Sequence, residues 1–117
     1  MTPELRVRNL ICSYLKAYGY FFWVNDSVGI YDPIKKTFRR NNSPYRIRGV
    51  ADILGVLRGG RLLAIEVKAE KGRLSPEQKL FLDQVNAAGG KAFVARSIED
   101  VERELNPKEE RVQSETH

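Results

Sequence analysis

Apolar residues along this chain follow two periods, and the switches between them mark out the elements. Leu10, Ile11, Tyr14, Leu15 and Tyr18 recur at the spacing of one helix face. Thr2, Pro3 and Glu4 supply the start of that helix: an N-cap hydroxyl, a proline in the first turn and an acid at the positive end of the dipole. Gly19 supplies its stop. Residues 20–24, YFFWV, are strand formers, and NDSVG then turns the chain. Residues 30–47 are polar and basic and predict a long loop or a short irregular hairpin. Residues 50–57 and 61–68 read as strands joined by RGGR, a hairpin signal. LSPEQKLFLDQVNAAGG predicts a helix with Ser75 as N-cap, Pro76 in the first turn, Gln78 completing a capping box and glycines at the end. KAFVAR, residues 91–96, predicts a short strand. SIEDVEREL predicts a last helix, with a capping box from Ser97 to Asp100 and with Ile98, Val101 and Leu105 facing inward. After Asn106 the chain turns charged, and a frayed tail is expected.

The order is helix, strand, long loop, strand, strand, helix, strand, helix. It predicts an α/β fold, a mixed β-sheet flanked by helices, with one domain over residues 1–105 and a charged tail over 106–117. The segment 68–91, strand–helix–strand, suits a right-handed parallel crossover. A chain of 117 residues supports one core and not two. No apolar run is long enough to cross a bilayer, and MTPELRVRNL lacks a signal-peptide core, so an intracellular protein is expected. The single Cys12 excludes an internal disulfide and a multi-cysteine zinc site, and it reads as core filler. The one histidine, His117 at the end of the sequence, argues against a histidine base.

Charge changes the picture at one place. The net charge of +5 is concentrated in residues 35–48, where Lys35, Lys36, Arg39, Arg40, Arg46 and Arg48 occur with no acid among them. Such a stripe suits DNA or RNA, although a solvated basic loop has the same composition. The strands that follow carry Asp52, Glu66 and Lys68 among apolar residues. Buried charges demand a partner or a metal. Glu66 and Lys68 share a face, and Asp52 joins them only in one hairpin register. A two-residue Gly-Gly loop sets Asp52 opposite Val67, on the wrong face. A three-residue loop or a bulge is expected instead, pairing Asp52 with Lys68 and gathering the three charges. Two carboxylates tolerate each other around magnesium, which takes oxygen ligands and keeps waters and a phosphate oxygen; the Val67 carbonyl offers another oxygen. With Lys68 beside them, these groups suit metal-assisted phosphodiester hydrolysis. An ordinary Glu–Lys alternation on a surface strand would look alike over three residues.

GVAD, 13 intervening residues and EVK together resemble the PD-(D/E)XK nuclease superfamily. The longer run from RIRGVAD to SIEDV is similar to its VRR-NUC branch, which includes small stand-alone phage and bacterial proteins. The similarity extends over about residues 2–105 and rests on G-x-x-D, E-x-K and S-x-x-Q in combination. The resemblance implies an αβββαβ nuclease core, metal ligation by Asp52 and Glu66, and Lys68 as the catalytic lysine. It also matches Glu4 to an acidic ligand of the first helix and Gln78 to an active-site glutamine, though Glu4 also serves as a helix-start acid and Gln78 as a cap. The family proline before the metal aspartate is Ala51 here. The implied cofactor is Mg2+ or Mn2+ and the implied partner is DNA. Lys35, Lys36, Arg39, Arg40, Arg46, Arg48, Lys71 and Arg73 are the expected phosphate contacts, and Tyr31, Phe38 and Tyr45 either stack on unpaired bases or pack the loop. Small members of the branch are similar to homodimeric four-way (Holliday) junction resolvases, and YFFWV or the first helix is the expected interface. The competing readings are a non-catalytic basic DNA-binding module and a basic subunit of a phage or replication assembly.

Overall fold

The computed structural model describes residues 1–25, 30–32, 34, 37–39 and 43–113, with the backbone alone at 30–32 and 37–39. The first helix, α1, spans Pro3–Ala17, and the Thr2 hydroxyl accepts from the Leu5 N–H as its N-cap. Its buried residues are Ile11 and Leu15, one turn apart, while Leu10 and Tyr18 stay half exposed. Two strands, β2 (Ile30–Asp32) and β3 (Thr37–Arg39), form a small antiparallel sheet within the segment expected to be a loop or irregular hairpin.

The main sheet has the order β1-β4-β5-β6, from β1 (Phe21–Val24), β4 (Ile53–Leu57), β5 (Arg61–Val67) and β6 (Lys91–Ala95). β4 lies antiparallel to both β1 and β5, and β5 is parallel to β6. The connection from β5 to β6 runs through α2 (Pro76–Ala87), and α3 (Ile98–Glu104) follows β6. With paired strands on both sides, β5 is buried continuously from Leu63 to Val67. Its odd positions, Leu63, Ile65 and Val67, pack with Ile53, Leu57, Ile11, Leu15 and Val101 on the α1–α3 side. Ala64 packs with Leu82, Val85 and Ala92 on the α2 side. Each fully buried Leu, Ile or Val contributes about 1.5–3 kcal/mol over leaving it exposed. This core therefore holds the even positions of β5 at fixed heights on the α2 face.

The hairpin register differs in detail from the expected one. The loop has three residues, but they are Arg58, Gly59 and Gly60, so Leu57 pairs with Arg61 and Ile53 with Ile65. Both glycines adopt the left-handed conformation, with φ of 81° and 79°, and β4 ends at Leu57, where the sequence reading ends it. Continued one step, the register sets Asp52 opposite Glu66, not Lys68. The parity is the one that places all three on the same face. Strand geometry proper begins at Ile53, although the Asn25 N–H still donates to the Asp52 carbonyl.

Three further departures lie after β6. Ser97 caps α3 by accepting from the Asp100 N–H, but the Asp100 carboxylate accepts from the Arg96 N–H, one residue before the cap position that a capping box uses. Val101 and Leu105 are buried, whereas Ile98 is only half buried. Beyond Asn106 the chain forms a one-turn helix, α4 (Pro107–Glu110), where a frayed tail is expected, and residues 114–117 of that tail lie outside the described residues. Glu110 ion-pairs with Arg61 at 3.0 Å, and the Arg111 carbonyl accepts from Arg58.

Candidate metal centre

The first turns of α1 and α2 meet the sheet where β5 ends and β4 begins, and the acidic residues converge there. Glu4, Asp52 and Glu66 each place a carboxylate oxygen within 4.8 Å of the others. Glu4 comes from the first turn of α1, Asp52 from the entry to β4 and Glu66 from the buried middle strand. The Asp52 Oδ2 accepts from the Val67 N–H at 2.9 Å, which fixes its carboxylate against the end of β5. Glu66 is 2% exposed and is the buried acid of the core. Its Oε1 accepts from the Gln78 Nε2 at 3.2 Å and lies 3.8 Å from the Lys68 Nζ.

Local sequence accounts for this placement. The Lys68 N–H donates to the Ala95 carbonyl, extending the β5–β6 pairing past Val67 and holding the lysine beside Glu66. Gly72 leaves room for the Lys68 stem: a Cβ there would lie 3.3 Å from the lysine Cδ. Gln78 serves its cap and the site at once, because its Oε1 accepts from the Ser75 N–H at 2.9 Å while its Nε2 faces Glu66. Gly49, with φ of 77°, lies against α2, where a Cβ would sit 2.5 Å from the Glu77 carbonyl carbon. Only a glycine lets the chain entering Asp52 approach the helix so closely.

Electrostatics set Glu66 apart. Burial first, then its hydrogen bond with Asp52 and the negative charge there, push its carboxyl up to about 8, while Lys68 pulls the other way. A buried acid held above its ordinary range is a common property of functional sites. Three carboxylate oxygens at such spacing form a hard-donor set suited to a divalent cation, and the Val67 carbonyl belongs to the residue that Asp52 already touches. The residues present thus fit the ion that the sequence implies. A cleft of about 200 Å3 opens beside them, lined by Thr2, Glu4, Leu5, Arg8, Asp52 and Val67. A larger apolar groove of about 540 Å3 lies at the opposite end of β5, around Leu62, Phe81 and Val85, and contains none of these acids.

The expected phosphate contacts divide. Arg46, Arg48, Lys71 and Arg73 are exposed, as is Tyr45 at 90%. Lys35, Lys36 and Arg40 lie outside the described residues, and so do the side chains of Arg39, Tyr31 and Phe38. Two arginines near the site carry no expectation from the sequence. Arg8 lines the cleft one turn after Glu4, a spacing on α1 that could have revealed it. Arg96 donates to the Ala69 carbonyl at 2.6 Å and to that of Glu70 at 3.3 Å, tying down the loop after Lys68; no local signal marks it.

Compared with known proteins, residues 32–99 match the family model of the VRR-NUC domain, a nuclease domain of the PD-(D/E)XK superfamily. The matched segment contains Asp52, Glu66, Lys68 and Gln78 and stops short of α1. No curated protein and no solved structure matches the chain.

Proposed function

The chain belongs to the VRR-NUC nuclease family, and from that premise we propose that it is a divalent-metal-dependent DNA endonuclease with a PD-(D/E)XK core. The observation that carries this reading is the convergence of Glu4, Asp52 and Glu66 beside Lys68, with a cleft that opens against Glu4 and Asp52. Glu4, Asp52, Glu66 and the Val67 carbonyl would hold magnesium or manganese. Such an ion supplies positive charge against the phosphate oxygens and a water acidic enough to attack at neutral pH. Lys68 stands ready to orient that water or a phosphate oxygen and to offset charge that develops in the transition state. Gln78 holds the Glu66 carboxylate in place. Lys35, Lys36, Arg39, Arg40, Arg46, Arg48, Lys71 and Arg73 grip the DNA backbone, which gives affinity with little sequence preference.

The preferred substrate in this reading is branched DNA, including the four-way junction. Symmetric cutting of a junction needs two sites related by a two-fold axis, which a homodimer of this short chain provides. Its interface is assigned to β1, an edge strand of the main sheet, whose Phe21 and Trp23 are 58% and 42% exposed with ring centroids 5.8 Å apart. A hydrophobic edge strand without charged guards favours pairing with another strand.

The test is to incubate labelled linear, flap and four-way-junction DNA with the protein in magnesium, manganese or EDTA. Metal-dependent cutting that disappears in Lys68→Ala supports the nuclease. Salt-sensitive binding without cutting supports a DNA-binding module instead, and neither binding nor cutting supports a structural subunit.

A further inference from the structure

Arg96 grips the turn that leads out of the strand carrying Lys68. The pairing of β5 with β6 is parallel, with Val67 opposite Ala95, and the Lys68 N–H still donates to the Ala95 carbonyl. Continued one step, that register sets Arg96 beside Lys68. Two cations side by side on adjoining strands repel unless each is engaged elsewhere. Both are. The Lys68 Nζ lies 3.8 Å from Glu66 Oε1, and the Arg96 Nη1 donates to the carbonyls of Ala69 and Glu70 at 2.6 and 3.3 Å. The Asp100 carboxylate accepts instead from the Arg96 backbone N–H and from the Arg103 guanidinium. Those two carbonyls belong to a turn over residues 69–72, closed by the Gly72 N–H donating to the Ala69 carbonyl at 2.9 Å. The same turn bounds the Lys68 stem: a Cβ on Gly72 would lie 3.3 Å from the lysine Cδ and 3.4 Å from its Cβ. The Lys68 side chain is 12% exposed, flanked by Gly72 along its stem and by Glu66 at its tip.

We propose that Arg96 is a positioning residue: by clamping the 69–72 turn to the end of β6, it holds Gly72 against the Lys68 stem and the ammonium at Glu66. Glu70 and Lys71 are exposed, and a single internal hydrogen bond is a weak hold on such a turn. Arginine suits the task because one Nη carries two N–H groups, enough for two successive carbonyls, and its charge strengthens both bonds. The consequence for cutting rests on the nuclease reading, in which Lys68 orients the attacking water or a phosphate oxygen. The clamp itself is measurable without DNA.

The experiment compares the wild type, Arg96→Gln and Gly72→Ala by three measurements: NMR of the metal-free protein, binding of a four-way-junction DNA in EDTA across a salt series, and single-turnover cutting at saturating protein in magnesium. The two Lys68 Cδ protons have distinct shifts while the stem is fixed, and the shifts converge once it moves freely. Arg96→Gln should bring them together and speed exchange of the Gly72 N–H. It should slow cutting by roughly 10–100-fold, the scale of loss when a reacting group or its support is misplaced. It should leave the slope of log affinity against log salt unchanged, since Lys71 and Arg73 keep their charges. Gly72→Ala presses on the lysine stem with Arg96 intact, and it should also slow cutting at an unchanged slope. Unaltered Lys68 and Gly72 signals in Arg96→Gln overturn the proposal. So does a slope reduced in magnitude by about one, which would make Arg96 a phosphate contact. Faster exchange at Leu63 and Ile65 as well would make Arg96 a support of the whole sheet, and that too overturns it. A wild type that cuts, with either variant cutting equally fast, refutes the positioning of Lys68 alone. A wild type that never cuts, while the Lys68 signals converge in Arg96→Gln, refutes the nuclease and keeps the clamp.

Discussion

Gln78 donates its side-chain amide to Glu66 Oε1 at 3.2 Å while its own oxygen closes the cap of α2. Helix start and candidate metal centre thus share one residue, and two substitutions separate them. Ser75→Ala removes the hydroxyl that accepts from the Gln78 N–H and leaves the Glu66 contact in place. It should cost about 1 kcal/mol of stability and leave cutting within a factor of about two. Gln78→Ala should cost a similar amount and also slow cutting by roughly 10–100-fold, the usual effect of losing a group that orients a metal ligand. Thermal unfolding paired with single-turnover cutting checks both. Equal cutting in the two variants would show that the glutamine is only a cap.

Metal binding by Glu4, Asp52 and Glu66 should appear in stability without any DNA. An ion that binds only the folded chain adds about 2.7 kcal/mol at a concentration 100 times its Kd. For a domain of this size that is a rise of several degrees in Tm on adding manganese. Asp52→Asn and Glu66→Gln should lose the rise, and Glu4→Gln should reduce it. A rise that persists in all three places the ion elsewhere.

Much of the frame was legible because its signals are local. Thr2, Ser75 and Ser97 each cap the helix that their spacing announces, and each helix begins where its cap predicts. The hairpin register was less legible. RGGR allows a three-residue loop to begin at Arg58 or at Gly59, and only the packing of β4 on β5 chooses. The face of Asp52 followed from parity alone, while its partner moved by two residues. The approach of Glu4 to Asp52 and Glu66 is tertiary, set by Ile11 and Leu15 docking α1 on the sheet, and only the family resemblance pointed to it. Arg8 and Arg96 were missed because neither breaks a local rule. The tail looked frayed because it offers little apolar surface, yet two arginines at the β4–β5 turn capture it through Glu110 and the Arg111 carbonyl.

Gly49 should be the least replaceable glycine near the site. Its φ of 77° costs an L-residue about 1–2 kcal/mol. Its Cβ would in addition lie 2.5 Å from the α2 backbone, where nothing flexible gives way. Gly49→Ala should therefore lose more than about 2 kcal/mol in urea denaturation, the sum of strain and displaced packing. It should also weaken the manganese-induced stabilisation, because Asp52 follows three residues later. Gly59→Ala meets open space and should lose only the conformational part. Equal losses for the two would show that the contact with α2 is slack.

The raised Glu66 carboxyl gives the metal-free protein a pH dependence of definite sign. Its ordinary value is 4.5, and burial with Asp52 beside it pushes it up to about 8. Between those values the folded chain holds a proton that the unfolded chain has released, so stability falls as pH rises and levels off above about 8. The other shifted groups act outside this window. Asp100, held below 3.8 by the Arg96 N–H, contributes stability that is lost only at lower pH. Cys12 is raised from 9.0, and Tyr14 and Tyr20 from 10.0, mainly by burial, so they titrate above the window. Urea denaturation in EDTA from pH 5 to 8.5 should show the decline in the wild type. Glu66→Gln keeps a neutral, hydrogen-bonding side chain at every pH and should be flat over the same range, and more stable than the wild type at its upper end. A wild-type profile that is flat or rises would mean that Glu66 is ionised throughout and finds its compensation in Lys68 and the Gln78 amide.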